Sequence, residues 1–162
     1  GPNGLNYSVV NMALDAGKGD VEIKNTPVIS NVVEKITAVR HCNNRDIWVV
    51  THGSASNIYY SFLVSPTGVN TVPVISNSGV VLPGVVPPSP LDSTSLGYLK
   101  ASPDGSKIAA AHWTVNVDVS DFNNATGVVS NSASMYLMIL LFRVVGLNCF
   151  SANSFSNLVS ET

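Results

Sequence analysis

Short alternations of apolar and polar residues run along much of the chain, separated by clusters of Gly, Asn, Asp, Ser and Pro. Such alternation is typical of β-strands with one buried face, and the clusters are typical of turns. The clearest example is 97–111, in which Ser102-Pro103-Asp104-Gly105 separates two apolar runs. Pro103 presets φ for the first central turn position and Gly105 accepts a positive φ, so this segment predicts a tight hairpin.

The hairpin pattern recurs, because an alignment of the chain with itself places Cys42 and Ser151 opposite Ser102. A second motif, an apolar pair followed by Ser-Asn, recurs between the hairpins at 28–31, 74–77 and 128–131. Two interleaved motifs that each occur three times, at spacings of about 45 to 60 residues, indicate a repeat array. Four strands fit between successive hairpins, and four strands are the unit of a β-propeller blade.

The sequence therefore predicts an all-β chain, namely a β-propeller fragment of four-stranded antiparallel blades. Two full blades are expected at about 36–77 and 97–131, and two partial blades at about 5–31 and 146–162. The strands of the full blades are predicted at 36–42, 47–52, 58–64 and 69–76, and at 97–101, 108–113, 115–122 and 127–131. In the first partial blade, the alternation of 21–24 predicts a half-buried outer strand.

The segment 134–147 is atypical of this repeat. It contains eight consecutive apolar residues, 135–142, where the repeat requires a polar connection. The run is too short to cross a bilayer, which takes about 20 residues. Two interpretations stay open: a buried strand or short helix, and a reading-frame error in the source.

The Ser102–Gly105 turn, followed by Lys107 and an apolar strand, resembles the hairpin of WD-repeat-like and YVTN-type bacterial β-propellers. The segments 34–43, 46–52 and 121–127 are similar to the propeller region of large secreted surface proteins that end in a gliding-motility-type sorting domain. The resemblance covers 5–131 and, loosely, 146–162.

The resemblance implies a non-enzymatic structural or binding module of a secreted or cell-surface protein. Type IX secretion, adhesion and gliding motility are the setting it implies, with an unknown protein or glycan of the cell surface as the ligand. It brings no catalytic, cofactor-binding or metal-binding residues. Propellers close with about four to eight blades, so we expect the fragment to need further blades or another copy of itself to close a ring.

Composition narrows the class of partner. Charged residues make up 11% of the 162 residues and the formal net charge is −2, so the chain has neither the basic footprint of a nucleic-acid-binding protein nor a polybasic membrane patch. No membrane span is predicted. The chain begins at Gly1 without a signal-like segment, which suggests an excerpt or a processed product. Cys42 and Cys149 are predicted to be buried free thiols.

In a four-stranded blade, the loop after the second strand lies on the same face as the loop that enters the next blade. Polar and aromatic side chains on loops of a rigid scaffold are where a ligand is expected. The alignment of the repeats places two such loops at matching positions. For Trp113, packing at a strand end is the alternative interpretation. The candidate ligand-face residues are His52, Gly53, Ser54, His112, Trp113 and Thr114.

Other chemistry has little support in the sequence. His41, Cys42 and His52 do not have the spacing of a closed zinc site. Asp46 and Asp104 fall in hairpin turns, where an Asp that bonds its own backbone explains them. The alternative function is that of a metal-dependent, lactonase-like propeller hydrolase, which needs carboxylates around the central channel. The predicted inner strands place Arg40, His41, Lys100 and Asn148 there, and none of these side chains is a carboxylate. We therefore predict no catalytic residue, metal or cofactor.

Overall fold

A computed structural model describes residues 3–82, 96–112 and 116–136. These residues form β-strands in three antiparallel sheets and contain no α-helix, so the predicted all-β class is confirmed. The strands are β1 (Leu5–Asn11), β2 (Asp20–Ile29), β3 (Val32–Arg40), β4 (Ile47–Gly53), β5 (Ile58–Ser65), β6 (Gly68–Val69), β7 (Val74–Asn77), β8 (Leu99–Ala101), β9 (Lys107–His112), β10 (Asn116–Asn123) and β11 (Val128–Tyr136).

The first sheet is the β1–β2 hairpin, joined by a short 3₁₀ turn at Asp15–Gly17. Each strand has one neighbour within this sheet, and the side chains of 21–24 are all exposed. The expectation of a half-buried strand there is therefore wrong. Alternation alone predicted one buried face, but the described residues place no second layer over that part of β2.

The second sheet has the order β3-β4-β5, and the free edge of β5 then pairs with two short strands. β6 pairs with one end of β5 and β7 with the other. The sequence predicted one strand over 69–76, but the chain turns between these strands. The Val72 amide donates to the Asn70 side chain at 3.0 Å, and Pro73 has no N–H to give to the sheet.

The third sheet repeats the up-and-down order as β8-β9-β10-β11. β11 continues to Tyr136, five residues beyond the predicted end at 131, so the first residues of the atypical segment are strand. Three stretches lie outside the described residues. They are the remainder of that segment, 137–147, the last predicted partial blade, 146–162, and the proline-rich residues 83–95.

The second and third sheets share one apolar core. β3 contacts β8, and β7 contacts β11, so the first and last strands of the two sheets lie next to their counterparts. Trp48 crosses this contact: its Nε1 donates to the Asn124 carbonyl at 2.9 Å, and its ring lies where a Cβ on Gly127 would sit. The buried core residues are Val39, Trp48, Val50, Tyr59, Leu99, Ile108, Ala110, Phe122 and Val129.

The turns before β4 and β9 have the same hydrogen-bond geometry. The His41 amide donates to the Asp46 carbonyl, and the Ser102 amide donates to the Lys107 carbonyl, each at 2.9 Å. Asn44 and Gly105 occupy the same place in the two turns, with φ of 59° and 70°. Ser102 therefore corresponds to His41, and the alignment of Ser102 with Cys42 was wrong by one residue.

This correspondence fixes how the sheets face each other. Ile47 corresponds to Ile108 and Trp48 to Ala109, yet the shared core contains Trp48 and Ile108. Because adjacent residues of a strand point to opposite faces, corresponding faces do not meet. We call the Trp48 side of the second sheet its front face. The front face of the second sheet thus packs on the back face of the third.

The first sheet lies on the other side of the second. Leu5, Tyr7 and Val28 of the hairpin enclose a small apolar cavity of about 110 Å³ with the back face of the second sheet, including Val49 and Phe62. The three sheets are therefore stacked in chain order.

Candidate functional site

The structure places the predicted ligand-face residues at strand ends. β4 continues through Gly53, which pairs with Val32, so His52 and Gly53 are buried strand residues and only Ser54 lies beyond the strand. His112 is the last residue of β9 and is also buried. The expectation of loop positions is thus corrected for His52, Gly53 and His112. Trp113 and Thr114 lie outside the described residues.

The two histidines nevertheless come together. The imidazole centroids of His52 and His112 are 5.5 Å apart in an edge-on arrangement. The sequence put them at matching places in the repeat, but the turn geometry makes Thr51 the counterpart of His112. Because counterparts point the same way in tandem sheets, this one-residue offset is what turns the two imidazoles toward each other across the contact.

Around them lies a buried polar cluster contributed by both sheets. Lys35 Nζ lies 2.7 Å from His112 Nδ1, and His112 Nε2 lies 3.7 Å from Asp118 Oδ2. A lysine ammonium can only donate, so Nδ1 accepts and His112 carries its proton on Nε2, toward the carboxylate. The Lys35 ammonium and the Asp118 carboxylate thus approach the two nitrogens of one imidazole ring. The cluster consists of Lys35, His52, Tyr59, His112, Asn116 and Asp118.

Lys35 enters the cluster from β3, beside a β-bulge. The pairing of β3 with β4 is irregular between Val32 and Ile36, and the Thr51 hydroxyl donates to the Lys35 carbonyl at 2.9 Å. Lys35 is 1% exposed. Sequence reasoning missed it, because a lysine in an alternating strand usually faces water. The available signal was that Lys35 shares the parity of Val39, which lies in the core.

Two groups donate hydrogen bonds to the Asp118 carboxylate. The Asn116 amide donates to Oδ1, and the backbone amide of Val80 donates to Oδ2 at 3.3 Å. A Cβ on Gly79 would lie 2.5 Å from Oδ2, so only glycine allows this approach without a shift. The segment 78–82 therefore lies over the cluster, and Ser78 ties it to β11 through a 2.6 Å contact between the Ser78 and Ser132 hydroxyls.

Burial controls the titration of His52 and Tyr59. Burial lowers the pKa of His52, and the nearby Lys35 charge acts in the same direction against the Gly53 carbonyl and Asp118. His52 Nδ1 donates to the Gly53 carbonyl at 2.8 Å, whereas its Nε2 has no hydrogen-bond partner within the part of the chain that the structure describes. Burial, aided by Asp118, raises the pKa of Tyr59 to about 12. Both side chains are therefore neutral near pH 7.

An open groove lies at the opposite end of the contact, between the β3–β4 and β8–β9 turns. Its volume is about 460 Å³, and Arg40, His41 and Asp104 line it together with Ser102 and Asn124. Hydrogen bonds from the Ser102 and Ser106 hydroxyls and the Ser106 amide lower the pKa of Asp104 to about 2, so its carboxylate is ionised. The groove thus carries a carboxylate and a guanidinium on rigid turns.

The turn residues follow the sequence prediction only in part. Asp104 accepts from the Ser106 amide at 3.1 Å, as expected of a turn Asp. In the other turn this role belongs to Asn43, whose Oδ1 accepts from the Arg45 and Asp46 amides, so the assignment to Asp46 is wrong. Cys42, expected to be buried, is exposed in this turn. Cys149 lies outside the described residues.

The described residues contain no group of three or more His, Cys, Asp or Glu that could hold a metal ion. The cluster side chains are enclosed between the sheets, so their geometry suits electrostatic control of the contact better than contact with a substrate. Within the same described ranges, no helix has the length and apolarity of a membrane span. No family model matches the chain, and neither a curated protein nor a solved structure shows significant similarity to it.

Proposed function

We propose that the chain is a segment of a β-propeller and serves as a non-enzymatic structural or binding module of an exported cell-surface protein. The full blades are 36–77 and 97–131, with parts of neighbouring blades at 5–31 and 146–162. The observation that supports this best is the front-to-back contact of two up-and-down sheets. A sandwich of two sheets related by a two-fold axis brings like faces together, whereas tandem blades join the front of one to the back of the next.

The exposed front of the third sheet supports the same proposal. Ala109 and Ala111 of β9 are the counterparts of Trp48 and Val50, and they pair across the sheet with Val119 and Val117. All four side chains are only half-buried among the described residues. A small apolar surface of this kind fits the back of another sheet, so further blades or a second copy of the chain are the partners of this face.

The ligand face belongs at the sheet ends where β4 leads into Ser54 and β9 ends at His112. The packed sheets beneath give loops there a rigid base, as binding loops require. With a net charge of −2 and few charged residues, the chain suits a neutral polar ligand, such as a glycan or a protein of the cell surface. Adhesion or gliding motility is the role we propose.

Immobilised glycans and surface proteins of cells that carry this protein provide the test. We expect the chain to bind one of these ligands, and Ser54→Arg and Thr114→Arg to abolish that binding. Thr67→Arg is the matched control, because Thr67 is exposed in the β5–β6 turn at the opposite end of the second sheet. Equal loss of binding in the control would contradict this ligand face. Stoichiometric metal, with ester or lactone hydrolysis lost on chelation, would contradict the non-enzymatic role.

A further inference from the structure

The His52 imidazole is enclosed at the contact between the second and third sheets. It is 0% exposed, its ring meets Tyr59 edge-on at 4.5 Å, and the His112 ring lies 5.5 Å away on the other sheet. Its Nε2 is buried, and no described residue hydrogen-bonds to it. A proton added at Nε2 would therefore place both a charge and an unbonded N–H inside the contact, and both are costly there.

The charged and titratable groups that face His52 come from four strands. β3 contributes the Lys35 ammonium, β5 the Tyr59 phenol, β9 the His112 imidazole and β10 the Asp118 carboxylate. Lys35 opposes a second positive charge and Asp118 favours one, but both charges are already engaged with His112 and with the backbone of 78–82. The closed contact therefore holds His52 neutral.

We propose that the contact between the second and third sheets is an acid-sensitive joint. Below about pH 6, protonation of His52 favours an open form in which the sheets separate around the buried polar cluster while each keeps its own strand pairing. The open form exposes His52 to water, where its proton affinity returns to the ordinary value for histidine.

The direction follows from proton linkage. The closed form binds the proton more weakly than the open form, so the ratio of open to closed molecules grows as pH falls below about 6.5. One proton linked in this way raises that ratio by at most about tenfold per pH unit, and the rise stops once pH falls below the lowered pKa of His52 in the closed form. Ordinary Asp and Glu carboxyls, with pKa values of about 4, are still largely ionised at pH 4.5.

Among the described residues, two backbone amides that cross the joint away from the polar cluster report on its opening. The Cys42 amide donates to the Asn124 carbonyl at 3.2 Å, and the Val129 amide donates to the Ser76 hydroxyl at 3.0 Å. The amides of β4 and β9 bond within their own sheets, where each strand has two neighbours. Opening of the joint therefore speeds hydrogen exchange of the Cys42 and Val129 amides and leaves the amides of β4 and β9 protected.

The experiment is hydrogen exchange of these amides by NMR, with rates divided by the intrinsic rate at each pH from 6.5 to 4.5. We expect the opening of Cys42 and Val129 to increase at least about threefold in the natural chain as pH falls over this range. In His52→Phe, which keeps the ring against Tyr59 but takes no proton, less than about half of this increase should remain. His52→Gln provides a second neutral variant in case His52→Phe does not fold. His41→Gln is the control, because His41 lies in the β3–β4 turn away from the cluster.

Two outcomes would overturn the joint. One is an acid response in His52→Phe or His52→Gln equal to that of the natural chain. The other is exchange of the β4 and β9 amides in step with Cys42 and Val129, which would mean that acid unfolds the sheets together. Neither outcome bears on ligand binding by Ser54, so this inference and the proposed function fail separately.

Discussion

Trp48 joins the two larger sheets, and Gly127 is the residue that makes room for it. A Cβ at Gly127 would lie 2.8–3.0 Å from three ring carbons of Trp48, and the Gly127 φ is 75°. Substitution there therefore combines a backbone penalty with a clash in the core.

We expect Gly127→Ala to lower the free energy of unfolding by about 2–4 kcal/mol in urea denaturation. Gly17→Ala separates the two causes, because Gly17 has a φ of 87° but no atom of the described residues would lie within 4 Å of its Cβ. It should cost only the backbone part, about 1–2 kcal/mol. Equal losses in the two variants would mean that the Trp48 ring moves aside freely.

Single residues also show where the sequence was informative. The Ser102–Gly105 turn was predictable, because Pro103, Asp104 and Gly105 each fit one local backbone requirement. The burial of His52 and Lys35 was not, since burial of a polar side chain depends on which partners the other sheet brings. The prediction for Cys42 failed for a different reason. Its burial was inferred from the usual burial of free Cys, but β3 ends at Arg40 and leaves Cys42 in the exposed turn.

The bulge in β3 has a consequence that can be measured through Lys35. Removing one partner of a buried charged arrangement leaves the other without compensation. We expect Lys35→Met to lower the free energy of unfolding by about 3–5 kcal/mol. Lys100→Met is the matched control, because Lys100 is exposed on β8. It should change stability by no more than about 0.5 kcal/mol. A small loss in Lys35→Met would show that the ammonium contributes little to the contact.

The order of the strands was largely predictable from alternation and turn chemistry, because these signals are local. The division of the predicted fourth strand, 69–76, into β6 and β7 was not predicted. The sequence does contain the signals for it, because Asn70 can form an Asx turn and Pro73 has no backbone N–H to donate. The relation between the sheets required the hydrogen-bond register of two turns. A difference of one residue there reverses which side chains enter the core.

For the molecule as a whole, the stack is unevenly stabilised. The second and third sheets share the buried core, whereas β1 and β2 pair with no other strand of the described residues and expose Val10, Val21 and Ile23. A two-stranded hairpin is at most marginally stable by itself. The hairpin contacts the second sheet through the apolar side chains around Tyr7 and Phe62.

We therefore expect peptides from β1 and β2 to exchange their amide hydrogens at least about tenfold faster than peptides from β4 and β9 at neutral pH, measured by mass spectrometry. Phe62→Ala should increase the exchange of β1 and β2 further, because it removes packing from the back face of the second sheet. Slow exchange of the hairpin, equal to that of β4, would contradict this uneven stability.

The weak attachment of the β1–β2 hairpin has a mechanical consequence when the chain is stretched. Antiparallel partners stretched from one end separate one hydrogen bond at a time, and β1–β2 has little core to resist this. Under tension the hairpin would lengthen first, while the core around Trp48 stayed intact. The first sheet would then act as an extensible link that absorbs a sudden load before the larger sheets bear it.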